Sequence, residues 1–295
     1  MKETRFGCIH FIAGANGSRY PFCNSLFIED DIRAIIDPGS DAAILRKIAG
    51  DGGVDIIINS HYHEDHISMN YLFEGASLAV PREEAPCFSS IDSFFDFYGL
   101  HDEDYRRYWQ QLMLNEFNYR ERVPDRPFAN GDIFDFGNTI MEVVHTPGHT
   151  IGHSSFYFPR EDILFLGDLD MTRFGPWYGD RVSDIDQTIE SVHRLLDIEA
   201  GIHISSHETG IIEGDLRGMA EEYLAVIDTR ERALLDFLDK PRLLDEIVHQ
   251  WIIYKKPRQP EAFFELGERG MIQKHLERLI KNGTVTGEND RYCLR

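Results

Sequence analysis

The chain has 295 residues, long enough for one large domain or for a large domain with a smaller one beside it. Its formal net charge of −21 disfavours a polyanionic partner such as nucleic acid for the protein as a whole. No apolar run is long enough to span a bilayer, and the start lacks the apolar core of a signal peptide, which predicts a cytoplasmic protein without a membrane anchor. The four cysteines are scattered, so we expect reduced thiols rather than disulfides.

Short strands alternate with helices in the first part of the chain, which predicts an α/β layered domain. Strands are expected within residues 6–13 and 24–36, and a helix is expected at Asp41–Ala49. The β-branched run Val54–Ile58 is bounded by turn-forming residues and is typical of a buried strand. This strand leads directly into the most informative motif of the sequence.

Four side chains that can bind a metal follow that strand: His61, His63, Asp65 and His66. At the end of an extended strand, residues i and i+2 point to the same side, so His61 and His63 can share one cation. Asp65 and His66 come one turn later and are expected to face a second cation nearby. Neutral imidazoles and a carboxylate suit a borderline divalent metal. A surface cluster without function is the alternative, and four such residues in six positions argue against it.

Residues 82–127 interrupt the alternation with a stretch dense in aromatic residues. Tyr105–Arg122 has helical spacing, with an apolar and a polar face. We expect a helical insert that packs on the sheet, and the same insert could form one wall of a substrate pocket.

Metal-binding side chains follow three later strands as well. His149 is the first histidine of the run Thr-Pro-Gly-His-Thr-Ile-Gly-His, Asp168 follows the apolar strand Ile163–Leu166, and His207 follows a last short strand. Strand ends meet at one edge of a sheet, where α/β enzymes place their sites, so these residues are expected to join the first four. Seven ligands are enough for two metals.

The segment directly after Asp168 is expected to overhang this site. It contains Arg173, Trp177 and Tyr178, which we take as candidates for substrate contact. The alternative is a turn whose aromatic side chains only cover the edge of the sheet. An amphipathic helix is predicted next, with Ser183 as its N-cap.

After residue 218 the pattern becomes helical. Residues 228–295 carry 13 basic against 12 acidic residues, whereas the first 227 residues carry 17 against 39. This change in charge indicates a boundary between a catalytic domain at 1–225 and a C-terminal domain at 226–295. Helices are predicted at Met219–Leu238, Leu243–Tyr254 and Met271–Ile280, followed by a hairpin. Three helices and a hairpin are the layout of a winged helix.

Taken in order, the motifs His-x-His-x-Asp-His, Thr-Pro-Gly-His-Thr-x-Gly-His, a strand ending in Gly-Asp and a late strand followed by His resemble the metallo-β-lactamase superfamily over residues 6–212. The resemblance implies an αββα sandwich. It also implies that Asp37, in Asp-Pro-Gly, supports the histidine loop from behind. The last motif departs from the family pattern, because His207 stands in Ser-Ser-His-Glu rather than in Pro-Gly-His-Gly.

The resemblance further implies how the ligands divide between two cations, with Asp168 between them. His61, His63 and His149 would hold one cation, and Asp65, His66 and His207 the other. We expect two divalent ions, with zinc first and iron or manganese as alternatives. His153 is expected to hydrogen-bond behind the ligands.

These residues predict a hydrolase in which a metal-activated hydroxide attacks a small ester, thioester or lactone. Asp65 would handle the proton and Asp168 would hold the two cations together. The alternatives are a metal-dependent ribonuclease or phosphodiesterase, a mononuclear iron thiol dioxygenase, and a metal-binding protein without turnover. The expected partner is a small-molecule substrate; a homodimer stays open, nucleic acid is disfavoured, and no membrane is expected.

Overall fold

A computed structural model of the chain describes residues 4–208, 210–288 and 290–295. Two large β-sheets form its first part. The first has seven strands in the order β1-β2-β3-β4-β5-β6-β7, and the second has six in the order β13-β12-β11-β10-β9-β8. The strands are β1 (Thr4–Phe6), β2 (Ile9–Ile12), β3 (Ser25–Ile28), β4 (Ala34–Ile36), β5 (Ile56–Ile58), β6 (Ser77–Pro81), β7 (Arg126–Phe128), β8 (Ile133–Asp135), β9 (Ile140–His145), β10 (Ser154–Phe158), β11 (Ile163–Gly167), β12 (Ile202–Ser205) and β13 (Ile211–Glu213).

The apolar core lies between the two sheets. Ile36 and Ile58 of the first sheet join Phe156, Phe165 and Ile204 of the second in one fully buried cluster. The alternation of side chains along each strand sends neighbouring residues to the opposite face, where helices cover them. The layers therefore form the α/β sandwich that the sequence predicts.

Each sheet has its own outer layer of helices. Ile35 and Ile57, on the outer face of the first sheet, pack with Leu45 and with the aromatic side chains of the insert. Leu164 and Leu166, on the outer face of the second sheet, pack with the helix Ile185–Leu196. The helices are Ala15–Ser18, Ala42–Gly50, Glu64–Ile67, Ala85–Ser89, Ile91–Tyr98, Glu103–Asn115, Ile185–Leu196, Arg217–Phe237, Leu244–Val248 and Glu261–Lys281, with 3-10 turns at Asn70–Phe73 and Arg82–Glu84.

The insert is helical, and its last helix ends at Asn115 rather than at Arg122. The N-cap of the helix Ile185–Leu196 is Asp184, whose carboxylate accepts the backbone N–H of Gln187 at 2.9 Å. The expected cap, Ser183, instead donates its hydroxyl to the carbonyl of His149 at 2.6 Å. Ser183 therefore stabilises the loop of His149 instead of capping the helix.

The C-terminal region consists of three helices and a three-stranded sheet of order β14-β16-β15, with strands β14 (Arg242–Leu243), β15 (Val285–Glu288) and β16 (Arg291–Leu294). Its long helix begins at Glu261, ten residues before the predicted start. Gly267 and Gly270 weaken the helical pattern in the sequence. In the fold, a Cβ at Gly270 would lie 2.0 Å from the backbone oxygen of Gly179, so this glycine allows the helix to approach that loop.

The winged-helix assignment and the boundary near residue 225 stay predictions. Within residues 4–208, 210–288 and 290–295, no helix combines the length and the apolar character needed to cross a membrane.

Candidate metal centre

All seven predicted ligands come together where strands of both sheets end. β5 leads to the histidine motif, β9 to the loop of His149, β11 to Asp168 and β12 to His207. Asp65 and His66 lie in a short helix that starts directly after His63. All of these side chains except those of Asp168 and His207, which are slightly more exposed, are almost completely buried. The seven residues form two groups whose potential ligand atoms lie within 4.8 Å of one another.

The first donor group consists of His61, His63 and His149. The Nε2 atom of His149 lies 3.3 Å from His61 Nε2 and 3.0 Å from His63 Nδ1. Asp168 approaches the same group, with its Oδ2 3.4 Å from His149 Nε2 and 3.9 Å from His61 Nε2. Three imidazoles and one carboxylate oxygen therefore face a common point.

The second donor group consists of Asp65, His66 and His207. The Oδ2 atom of Asp65 lies 3.4 Å from His207 Nε2 and 3.9 Å from His66 Nε2. Asp168 reaches this group too, with Oδ1 3.0 Å from His66 Nε2 and Oδ2 3.3 Å from His207 Nε2. Asp168 thus stands between the two groups, as the resemblance implies.

In each of the five histidines, the ring nitrogen that faces away from the centre has a hydrogen-bond acceptor. His63 donates from Nε2 to Asp180 at 2.9 Å, and His149 donates from Nδ1 to the carbonyl of Trp177 at 2.9 Å. His66 donates to Asp37 at 3.0 Å, and His207 faces two backbone carbonyls at 3.0 and 3.1 Å. A neutral imidazole with one nitrogen donating has a lone pair on the other.

His61 follows the same rule through Ser60. The hydroxyl of Ser60 donates to Asp37 at 2.6 Å, so its oxygen can accept the proton of His61 Nδ1 at 3.0 Å. When all five rings are neutral, as a bound cation would require, five nitrogen lone pairs converge on the centre. Lone pairs 3.0–3.3 Å apart repel one another unless a cation or a proton lies between them.

The spacing fits a divalent metal. Tetrahedral zinc with bonds of about 2.0–2.1 Å to nitrogen separates its ligand atoms by about 3.3 Å. The separations within the first group, from 3.0 to 3.9 Å, bracket that value. Nitrogen and carboxylate donors also match the preference of zinc, iron and manganese.

The pKa values of the histidines in the site are shifted in opposite directions. Burial lowers the pKa of His61 well below its usual value and that of His149 to about 3, so both rings are neutral. Burial also opposes protonation of His207, but the charge of Asp168 raises its pKa to about 10. The same carboxylate raises the pKa of His66 against burial. A cation bound by the second group would displace these protons.

Two further predicted residues lie directly behind the ligands. Asp37 accepts the backbone N–H and the hydroxyl of Ser60 at 2.7 and 2.6 Å, in addition to His66. His153 accepts the backbone N–H of Asp168 at 3.0 Å through Nε2. Burial lowers the pKa of His153 to about 3, so its ring is neutral and available as that acceptor.

The sequence did not reveal Asp180, which is fully buried and orients His63. Its other donor is the hydroxyl of Tyr62. Asp180 lies in a turn far from the histidine motif, so only the fold brings it there. No motif around Asp180 distinguishes it from the other aspartates in loops.

The loop that contains Trp177 and Asp180 is anchored by Arg230, a buried cation of the helix Arg217–Phe237. Arg230 donates to the carbonyls of Phe174 and Pro176, both at 2.6 Å. The C-terminal region thereby fixes the loop that orients two ligands of the first donor group.

A cavity of about 550 Å³ opens onto both donor groups. Trp177 lines it, with its ring centroid 5.2 Å from that of His63. Arg173 is exposed and does not line the cavity. Tyr178 is completely buried in the core formed with the C-terminal region, where its hydroxyl bonds to His275 at 2.9 Å and to Arg230 at 3.1 Å. Of the three candidates for substrate contact, the structure therefore places only Trp177 at the cavity.

Sequence comparisons identify a family model that matches this chain and curated proteins that are similar to part of it. A family model described as the metallo-β-lactamase superfamily matches residues 19–207. Hydroxyacylglutathione hydrolase of Chelativorans sp. (strain BNC1) is 27% identical over 144 residues, which cover 48% of this chain and 44% of that relative. Hydroxyacylglutathione hydrolase of Thermosynechococcus vestitus is 31% identical over 143 residues, which cover 48% of this chain and 44% of that relative. The chain thus spans less than half the length of these curated relatives.

The similarity to solved structures extends over almost the whole chain. The crystal structure of a metallo-β-lactamase family protein from Thermus thermophilus has a TM-score of 0.74 and 21% identity. The alignment covers 98% of this chain and 99% of that one. The shared fold therefore includes the C-terminal region as well as the two sheets.

Proposed function

Because the chain belongs to the metallo-β-lactamase superfamily, we propose that it is a metal-dependent hydrolase that cleaves a thioester or a related ester or lactone. The convergence of seven ligand-type residues, five of which line one cavity, carries this proposal. Relatives named for the hydrolysis of a hydroxyacylglutathione, in which an acyl group is joined to a thiol, favour a thioester among the three classes.

The first donor group would hold one divalent cation and the second group the other, with Asp168 between them. Two such cations would supply a hydroxide nucleophile near neutral pH and polarise the carbonyl oxygen of the substrate. Zinc is the first candidate on donor type, and iron and manganese remain alternatives.

The protein's own side chains supply position and proton transfer. Asp65 lines the cavity, and its carboxylate is the group we assign to accept and pass on the proton released during turnover. Asp168 has to stay ionised to serve both groups. Burial alone would raise its pKa, but His66 and His207 lower it well below its usual value.

The test uses purified protein with measured metal content and thioesters of a simple thiol. We expect about two metal equivalents and metal-dependent hydrolysis. His61→Ala is expected to lose one equivalent and to lower kcat/KM by at least about 100-fold. His249→Ala replaces an exposed histidine and serves as the matched control. Full activity in His61→Ala would contradict the assignment.

The nuclease alternative receives less support from the C-terminal region. Lys274 donates to the carbonyl of Arg181 at 2.7 Å and lies 3.2 Å from Glu277. Arg278 pairs with Asp186 and Glu231, both at 2.8 Å. These cations already have partners, so they do not form a free track for phosphates. Binding of single-stranded RNA that weakens steeply with added salt would favour the nuclease instead.

An iron thiol dioxygenase would use the same donors with one metal. Near-stoichiometric iron together with oxygen consumption on thiols would favour that alternative over the hydrolase. Metal analysis of protein purified without added metal separates the two.

A further inference from the structure

Aromatic side chains from three separate parts of the chain form much of the cavity wall. The insert, the loop after Asp168 and the C-terminal region each contribute two or more of them. These aromatic side chains include Tyr98, Trp109, Phe174, Trp177, Tyr254 and Phe263.

Contacts between these parts hold the wall together. Phe263 stacks on Trp109 with ring centroids 5.3 Å apart and planes at 27°, and it lies 5.4 Å from the ring of Tyr20. Trp177 donates its indole N–H to the hydroxyl of Tyr254 at 3.3 Å. Because each wall residue packs on another, the aromatic surface exists before a substrate enters, which lowers the entropic cost of binding.

The aromatic wall begins at the donor groups themselves. The rings of Tyr98 and Trp177 lie 5.3 and 5.2 Å from that of His63. The hydroxyl of Tyr98 donates to buried Glu64 at 2.5 Å, which leaves its ring as the apolar part of the wall. A carbonyl group held at the donor groups would therefore place its acyl substituent beside aromatic side chains.

We propose that the acyl group of the substrate is planar and aromatic. The inference rests on the proposed hydrolase function and adds the substrate class. Aromatic rings bind other flat rings by offset stacking or edge contacts, in addition to the gain from burying apolar surface. A cavity of about 550 Å³ has room for such a group with its thiol portion. A small polar hydroxyacyl group would leave most of this wall without a partner.

The experiment compares metal-loaded enzyme on thioesters of one thiol, N-acetylcysteamine. The acyl groups are lactoyl, hexanoyl, cyclohexanecarbonyl, benzoyl and 2-naphthoyl, and each kcat/KM is divided by the rate constant for hydroxide hydrolysis of the same compound. Benzoyl and cyclohexanecarbonyl have nearly the same size, so their ratio isolates planarity. We expect 2-naphthoyl and benzoyl to exceed lactoyl and cyclohexanecarbonyl by about tenfold or more.

A variant of the wall tests where this preference arises. Phe263→Ala removes the ring that joins the C-terminal region to the insert, and we expect it to lower the ratio of 2-naphthoyl to lactoyl turnover by about tenfold. Ile280→Ala, an exposed position on the same helix, is the matched control and should keep the wild-type ratio.

The outcomes separate this inference from the proposed function. Hydrolysis without a preference for planar acyl groups, or with a preference for hexanoyl, overturns the aromatic substrate class and leaves the hydrolase intact. If no thioester is cleaved, the assignment of a thioester substrate fails, and calorimetry with the free acids tests whether the cavity prefers planar aromatic groups. Binding of 2-naphthoate at least about tenfold tighter than cyclohexanecarboxylate supports the inference; equal binding overturns it.

Discussion

The two donor groups lie side by side but depend on different parts of the molecule. His63 and His149 in the first group donate to Asp180 and to the Trp177 carbonyl, both in a loop anchored by the C-terminal region. His66 and His207 in the second group donate to Asp37 and to carbonyls of the N-terminal part. Among the described residues, the C-terminal region therefore acts on His63 and His149 through this loop, whereas the acceptors of His66 and His207 belong to the N-terminal part.

Two reference variants make this difference measurable. His207→Ala leaves the first group complete, and His61→Ala leaves the second group complete. Cation affinity, measured in each background by competition with a chelator, then reports on one group at a time.

The largest effect is expected for Asp37→Ala, because Asp37 supports His66 directly and His61 through Ser60. We expect cation affinity to fall by about 10–100-fold in both backgrounds. The free energy of unfolding should also fall by about 1–3 kcal/mol, since buried donors lose their acceptor. Asp236→Ala, at an exposed position, is the control. An effect confined to one background would show that Ser60 does not transmit the support.

Asp180→Ala is expected to act on the first group alone. Without its acceptor, His63 can turn or change tautomer, so affinity in the His207→Ala background should fall by about 10–100-fold. Affinity in the His61→Ala background should stay within about twofold, because Asp180 does not contact the second group. Equal losses in both backgrounds would contradict the division of support. Urea unfolding checks that the variant remains folded.

Arg230→Met tests the role of the C-terminal region. Methionine fills a similar volume but cannot donate to the carbonyls of Phe174 and Pro176. We expect the first group to lose about tenfold in cation affinity and the protein to lose about 2–4 kcal/mol in unfolding free energy. Arg232→Met, exposed on the same helix, is the matched control. Unchanged affinity of the first group would mean that the loop holds its shape without this anchor.

Glu84→Gln should leave cation affinity unchanged and alter only the pH dependence of stability. Glu84 accepts the backbone N–H of Gly152 at 2.8 Å and the hydroxyl of Thr150, both in the loop after His149. Burial raises its pKa from 4.5 to about 7. A raised carboxyl pKa contributes stability that is complete below about pH 4.5 and is lost as the pH rises through 7.

Glutamine keeps the acceptor oxygen and has no charge to bury. The stability of Glu84→Gln relative to the unmodified protein should therefore increase by about 2 kcal/mol between about pH 5 and pH 8. Urea unfolding at both pH values measures this difference. A constant difference would mean that Glu84 does not titrate in this range.

The sequence predicted the parts of the site that are contiguous or that follow strands. His61, His63, Asp65 and His66 lie within six consecutive positions, and the strand before them fixes which way they face. The layered fold followed from the alternation of short apolar strands with helices. Both inferences use local periodicity, which a sequence displays directly.

The residues that could not be predicted from the sequence belong to the site only because the tertiary fold brings them there. Asp180, in a loop, and Glu84, at the end of a 3-10 turn, are acids that matter because they are completely buried beside the loops of the donor groups. Phe263, which lines the cavity, lies in the first turn of the long helix. The sequence did not show this turn, because the predicted helix started ten residues later, after Gly267 and Gly270. Tyr178, by contrast, adjoins Trp177 in the sequence but points into the core formed with the C-terminal region.

Among the carboxylates of the described residues, Asp168 faces both donor groups, with one oxygen 3.0 Å from His66 and the other 3.3–3.4 Å from His207 and His149. Neither half of the centre is therefore electrically independent. A cation bound in one half would neutralise part of the negative charge of Asp168. The carboxylate would then attract a cation in the other half less strongly. Loading should thus be anticooperative, with two distinct steps in a titration, and because linkage is reciprocal, emptying either position should tighten the other.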